Sequence, residues 1–317
     1  MQVLVMGGTR MMGRLTVDEL LRRSHDVVVF NRGRTPAQPP EGVRAIRGDR
    51  DVPADLAQLT TEGPEAVVDF SAVTGPQTAG LLDVLGSVPR LVHCSTGAVY
   101  WPDPVLPWSE RTTAMGPWST WGAYATEKLD AELVLQQRRD DPNLATTVLR
   151  PPFVLAAGNY ALREEWVLNR LLDDAEILLP GDGQSVAQFV SANQVAVCAV
   201  NALEARADGG LQAFNIAEPT AVASALGFVH LCGSVAGKDP RVRHVEPPTG
   251  PFDRDNSVFP FPNENYLLDT RAAHTAGIQP PTVPLRDMLG AALEFLLANP
   301  ERRAWARSAA ELARLRD

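Results

Sequence analysis

The chain is predicted to fold as an α/β protein, a doubly wound parallel sheet with a smaller C-terminal lobe. Three observations predict this. Short apolar runs alternate with stretches of helical spacing through residues 1–150, the pattern of strands joined by crossover helices. The first run ends in a glycine-rich turn that opens a helix. Beyond Pro151-Pro152 the elements shorten and Pro and Gly become denser, which marks 151–317 as a separate lobe with segments returning to the core.

Gln2–Met6 is apolar and stops at once in turn residues, as a strand buried on both faces does. Gly7-Gly8-Thr9 follows, and Met11, Met12, Leu15, Leu20 and Leu21 carry a helix from about Gly13 to Arg23. Strand, glycine turn and helix N-terminus together form an anion site: backbone N–H groups point outward and the helix dipole favours a phosphate. Such a Rossmann-like unit predicts a dinucleotide held by Gly7, Thr9, Arg10, Met11, Met12 and Gly13. The middle glycine of the usual GxxGxxG spacing is Arg10, so the bare pattern is weak and its position directly behind a strand is what strengthens it.

The second strand, Val27–Phe30, runs into Asn31-Arg32-Gly33-Arg34. An acidic residue here would take a ribose 2′-hydroxyl, whereas arginine accommodates a 2′-phosphate. The acid is absent, so Asn31, Arg32, Arg34 and Arg10 point to NADP(H) in preference to NAD(H); solvated loop arginines are the plain alternative. Val43–Ile46 is the next strand, followed by Asp49 at the adenine. Ala66–Phe70 leads to Ser71, Ala72 and Val73 beside the nicotinamide half. A helix over about 77–85 precedes the fifth strand, Arg90–Cys94, whose end places Cys94 at the cofactor.

Net charge of −9 and pI near 5.1 argue against nucleic acid or an anionic membrane as partner. No apolar run reaches the ~18 residues that span a bilayer, and no secretory signal precedes Val3, so the cytoplasm is the expected compartment. Cys94, Cys198 and Cys232 are odd in number and sit among apolar residues, as core thiols do. The five histidines show no ligand spacing, and no metal site is expected.

Tyr124-Ala-Thr-Glu-Lys128 lies in a helical stretch, Gly122 to Arg138, that places Tyr124 and Lys128 one turn apart on one face. A neighbouring ammonium lowers a phenol's pKa and lets it exchange a proton near neutrality. A surface lysine beside a half-buried tyrosine would show the same spacing, but this chain has only two lysines.

Three blocks in order, the GGTRMMG turn, Ser95-Thr96-Gly97-Ala98-Val99-Tyr100 and YATEK, resemble the extended short-chain dehydrogenase/reductase family, also called the NAD-dependent epimerase/dehydratase family. The GGTR turn with NRGR behind the second strand is similar to a subgroup of bacterial reductase-like members. The resemblance implies a Thr96–Tyr124–Lys128 triad: Thr96 bonds the substrate oxygen, Tyr124 passes the proton, and Lys128 tunes Tyr124 and holds the nicotinamide ribose. Ser95 is the alternative hydroxyl. It also implies that Pro151 and Phe153 touch the cofactor and that two copies pair as a homodimer. The Asp-Glu pair of sugar-nucleotide dehydratases is Gly97-Ala98 here, so water elimination lacks its proton carriers. Four tryptophans between Trp101 and Trp121 either wall a pocket or pin a long loop.

In the second half, helices are expected at Asn159–Leu172, Asn193–Arg206, Val222–Val235 and Leu285–Ala298, with short strands near Ala213–Ile216 and Val242–Val245. Where sugar-nucleotide enzymes carry a diphosphate-gripping arginine the chain has Ala187, and an acidic landmark is Gln194; Arg163, Arg170 or Arg254 are the substitutes on offer. The leading expectation is an NADP(H)-dependent ketoreductase acting on a small sugar-like or polyketide-like carbonyl or alcohol. The alternatives are a nucleotide-sugar epimerase with tightly held NAD and a non-catalytic dinucleotide-binding protein.

Overall fold

The computed structural model describes residues 1–34, 39–86, 88–113, 115–205, 209–253 and 257–315. The chain opens with strands β1 (Gln2–Met6), β2 (Asp26–Asn31), β3 (Arg44–Arg47), β4 (Ala66–Asp69), β5 (Arg90–Cys94) and β6 (Ala145–Arg150). Strands β7 (Phe153–Leu155), β8 (Ile177–Pro180), β9 (Val186–Ser191), β10 (Gly210–Asn215), β11 (Val222–Ser224) and β12 (Val242–Val245) follow. The helices are α1 (Met11–Arg22), α2 (Pro53–Leu56), α3 (Gly75–Leu85), α4 (Ala123–Gln137) and α5 (Arg163–Leu172), then α6 (Ala192–Glu204), α7 (Ala225–Ala236), α8 (Arg271–Thr275), α9 (Leu285–Ala298) and α10 (Ala309–Arg314).

One sheet of seven parallel strands, in the order β10-β6-β5-β4-β1-β2-β3, carries the first half. The order reverses beside β1, which places a crevice at the carboxyl ends of β1 and β4, where ligands of doubly wound sheets bind. β1 shows why both faces are covered. Val3 and Val5 join one apolar cluster with Val17 and Leu20 of α1 and Val195 and Ala199 of α6. Leu4 and Met6 join another with Leu81 and Leu82 of α3 and Leu135 of α4. Alternate residues of a strand point to opposite faces, so a strand roofed on both sides must be apolar throughout.

After β6, Pro151-Pro152 turns the chain into a second lobe built on an aromatic core that includes Phe153, Phe189, Phe228, Phe259 and Phe261. Its small sheets are β11-β9-β7 and β12-β8. The chain then returns: α6 packs on α1, and β10 completes the main sheet beside β6.

Several elements differ from their sequence expectation. α5 begins at Arg163 instead of Asn159, because the Asn159 side chain caps Ala161 and bonds Val154 O and Glu164, and Leu162 takes a left-handed φ of 54°. Val222–Ser224 is a strand, paired antiparallel with β9, and Ser224 caps the helix that begins at Ala225. α6 ends at Glu204, and Arg206 lies outside the described residues. β7, β8 and β9 carry no distinct signal in the sequence, since short apolar runs show strand and helix alike. No helix among the described residues is long and apolar enough to cross a membrane.

Candidate active site

Two adjoining cavities open along the carboxyl ends of the parallel strands, each about 440 Å³, and both are lined by Val73. The first is set by the turn after β1. Gly7 has φ of 87°, a conformation that favours glycine. A Cβ on Gly13 would stand 2.2 Å from Gly7 O, so the helix can approach the turn only without a side chain there. Gly13 is therefore a packing residue that lines neither cavity. Arg10 precedes α1 without a side-chain cap, and the first turn of α1 holds no acid. A helix N-terminus that its N-cap residue leaves without a side-chain bond fits the phosphates of a dinucleotide.

The same cavity gathers Gly7, Thr9, Arg10, Asn31, Arg32, Arg34, Asp49 and Ser71. Asn31 Oδ1 accepts from Gly33 N at 2.8 Å, which shapes the turn carrying the two arginines. Arg34 leans towards Asp49 at 3.4 Å, a contact too exposed to fix it. The sequence reading missed Arg50, which lines this cavity and is nearly buried. Its guanidinium grips Asp69 bidentately at 2.9 and 3.0 Å and donates to Ser71 Oγ at 2.7 Å. That pair holds Asp69 well below the usual carboxylate range despite its burial, and Asp69 in turn accepts from the backbone of Ser71 and Ala72. Arg50 thus ties β4 to the floor under the cofactor crevice.

The second cavity holds Met11, Met12, Cys94, Ser95, Thr96, Tyr124, Lys128, Pro151 and Phe153. Thr96 ends the β5 crossover and caps the short turn at Gly97–Val99, accepting from Ala98 N at 3.3 Å. It also lies near enough to Tyr124 to draw the phenol pKa down. Tyr124 lines the cavity and shows 42 % of its surface. Burial there pushes the phenol pKa up, Thr96 and Arg163 pull it partly back, and the net direction is upward.

That result corrects the expected coupling to Lys128. The spacing brings both residues to the cavity, but Lys128 Nζ donates to Ala72 O at 2.7 Å and Cys94 O at 2.9 Å. Burial lowers its pKa. Ala72 therefore acts through its carbonyl and lines neither cavity, and Cys94 shares that role while also facing the cavity. Two of the three ammonium donors are used by carbonyls at the ends of β4 and β5, which aims the lysine at the crevice.

The walls add residues that sequence reasoning gave no role or only a passing one: Trp121, Tyr160, Arg163, Phe252 and Tyr266. They come from four separate segments, and no local pattern announces their meeting. Trp121 meets Phe252 edge to face at 5.4 Å between centroids and packs tilted against Phe153 at 5.9 Å. Of the aromatic loop, then, Trp121 faces the cavity, whereas Trp108 and Trp118 are core residues at 1 % exposure. Arg170 is bound in the core between Trp166 and Glu311, and Arg254 lies outside the described residues. Ser95 Oγ is buried with no hydrogen-bond partner, whereas Thr96 lies near enough to the phenol to lower its pKa.

Residues 3–217 match the model of the NAD dependent epimerase/dehydratase family. Chloroplast stem-loop binding protein of 41 kDa b from Arabidopsis thaliana is 26 % identical over 88 % of this chain and 75 % of its own. A 2-alkyl-3-oxoalkanoate reductase from Stenotrophomonas maltophilia is 28 % identical, over 66 % of this chain and 67 % of that one. Among solved structures, a UDP-glucose 4-epimerase of Thermotoga maritima with UDP-glucose superposes at a TM-score of 0.78. That pair shares 20 % identity over 95 % of this chain and all of the other, which speaks for the fold alone. With two thirds of its length matched by the family model, and with that family's fold, this chain belongs to the NAD-dependent epimerase/dehydratase family.

Proposed function

We propose that the protein is an NADP(H)-dependent ketoreductase of small molecules. Membership of the family implies oxidoreductase or epimerase chemistry with a nicotinamide dinucleotide; the finer reading rests on one observation above others. Thr96, Tyr124 and Lys128 meet at one cavity, and the neighbouring cavity offers an uncapped helix N-terminus with Arg10, Arg32 and Arg34.

When bound, the reduced nicotinamide supplies the hydride. Tyr124 delivers its proton to the carbonyl oxygen, which becomes the hydroxyl of the product alcohol. Thr96 donates a hydrogen bond to the same oxygen and orients it against the phenol. Lys128 offers its remaining donor towards the cofactor ribose. Burial keeps Tyr124 protonated at neutral pH, the state that reduction requires. Arg10, Arg32 and Arg34 supply guanidinium donors for a 2′-phosphate. The lobe beyond Pro151 shapes the substrate side.

The reductase name of the Stenotrophomonas relative supports this reading. So do Gly97 and Ala98, where sugar-nucleotide dehydratases resemble each other in carrying carboxylates. The test is to denature the purified protein and identify any nucleotide released. An empty site that binds NADPH more tightly than NADH supports the exchangeable cofactor of a reductase. Stoichiometric NAD would replace it with the epimerase reading, and binding of neither nucleotide would remove both. A homodimer through helices beside the sheet, including α4 with its Tyr124, is proposed from the family resemblance, and light scattering tests it.

A further inference from the structure

Between β4 and α3 the chain leaves the sheet and passes both cavities, with Val73 lining each. In this crossover, residues 71–74, side chains take the backbone N–H groups. Asp69 Oδ1 accepts from Ser71 N at 2.8 Å and from Ala72 N at 3.0 Å. Gln77 Oε1 accepts from Val73 N at 2.8 Å and from Thr74 N at 3.3 Å. Arg50 joins the two anchors. Besides its bidentate hold on Asp69, its guanidinium donates to Ser71 Oγ and, at 3.0 Å, to Gln77 O. The pair is shut away from water, with side-chain exposures of 8 % for Arg50 and 2 % for Asp69. A bidentate, charge-assisted contact in that setting fixes geometry as well as charge. The crossover then offers one carbonyl to the active site: Ala72 O is the nearer of the two acceptors of Lys128 Nζ.

We propose that Arg50 is a positioning residue for Lys128: through Asp69 and Gln77 it sets the crossover, and through Ala72 O it aims the ammonium at the cofactor crevice. The inference rests on the ketoreductase reading for what Lys128 does there, and it adds a residue to that site. β4 ends at Asp69, so the place of Ala72 depends on side-chain bonds instead of the sheet ladder. An ammonium bonded to two carbonyls follows them when either moves. A displacement of about 1 Å in a catalytic site costs roughly a hundredfold in rate. Arg50 lines the cavity that holds Arg10, Arg32 and Arg34, whereas Lys128 lines the other. One buried guanidinium therefore joins the two halves of the crevice.

The chain has only two lysines, Lys128 and Lys238, so isotope labelling of lysine gives two ammonium signals by NMR, and Lys238→Arg assigns them. The quantity measured is the exchange of the Lys128 ammonium protons with water, on the full chain without substrate. Held by two carbonyls, they are expected to exchange slowly in the wild type. In the double variant Arg50→Gln/Asp69→Asn the exchange should be at least about tenfold faster, the worth of one hydrogen bond to a charged group. That variant removes both charges of the pair, so neither is left buried alone, and it removes together two opposite influences on the Lys128 charge. Its kcat for ketone reduction should fall by roughly a hundredfold, with KM for the ketone little changed. Unchanged Lys128 exchange or unchanged kcat in a folded variant, or fast exchange already in the wild type, would overturn the assignment. So would a double variant that unfolds, which would make the pair a support of the whole fold. Since exchange is read without substrate, a failed ketoreductase reading shows separately, as absent ketone reduction by a wild type whose Lys128 still responds to Arg50.

Discussion

The phenol of Tyr266 occupies the space that a side chain at position 97 would need: a Cβ built on Gly97 would stand 1.9 Å from the Tyr266 hydroxyl oxygen. Tyr266 cannot easily withdraw. Its ring packs against Trp108, Trp118 and Phe153 at 5.2 to 5.5 Å, and its backbone N–H is bonded to Val186 O. Gly97 and Tyr266 are thus one structural choice, which closes the position where dehydratases of the family resemblance carry an acid.

Gly97→Ala is therefore expected to destabilise the fold by about 1 to 3 kcal/mol, the usual cost of overpacking. Tyr266→Phe in the same chain should return part of that loss by removing the clashing oxygen. Urea denaturation of the wild type and the two variants measures it. A Gly97→Ala protein as stable as the wild type would show that the ring has room to move.

Tyr124→Phe should lower ketone reduction by roughly a hundredfold or more, the contribution of a positioned proton donor, and leave NADPH affinity unchanged. The pH profile carries a second sign. Since burial raises the Tyr124 pKa, the donor stays protonated through neutrality, and the rate should decline only on the alkaline side. A rate that falls on acidification from neutral pH would assign the proton to another group.

Arg32→Ala should weaken NADPH by roughly tenfold or more, the scale of a charge-assisted contact to phosphate, and leave NADH nearly untouched. Fluorescence titration of both nucleotides decides it. Equal losses for the two would mean that Arg32 does not meet the 2′-phosphate.

Glu164 is fully buried, accepting from Ala156 N at 2.7 Å and from Asn159 Nδ2. Burial pushes its carboxyl up to about 7 from an ordinary 4.5. Below the ordinary value folded and unfolded chains both hold the proton. Above it the unfolded chain releases the proton first, so this stabilisation declines as pH rises through about 7, a loss of at most about 3 kcal/mol. Glu164→Gln should be the less stable protein in acid, by about 1 kcal/mol for an imperfect hydrogen bond, and the gap should close or reverse above neutrality. Parallel stability curves for the two proteins across that range would refute the shift.

Much of this arrangement was legible before any coordinates. A strand such as Val3–Met6 has to be apolar on both faces to lie under helices on two sides, and a turn such as Gly7-Gly8-Thr9 has to spare its side chains, so local residues report local structure. Tyr124 and Lys128 were found because helical spacing places them together. The relation between them was misread for a reason of the same kind. Spacing states which residues are neighbours along a helix, but not that Ala72 O and Cys94 O, from two different strands, claim the ammonium.

By itself, then, the sequence determined what short-range patterning can determine: the parallel sheet, the glycine turn that opens α1, the basic segment after the second strand and the helical spacing of Tyr124 and Lys128. The tertiary structure alone decided the rest. The pairing of Arg50 with Asp69, the seat of Tyr266 over Gly97 and the meeting of Arg163 with Phe153, Trp121 and Phe252 join residues from distant segments. Such contacts depend on how helices and loops pack over the sheet edge, and packing is a property of the whole chain that no local window contains.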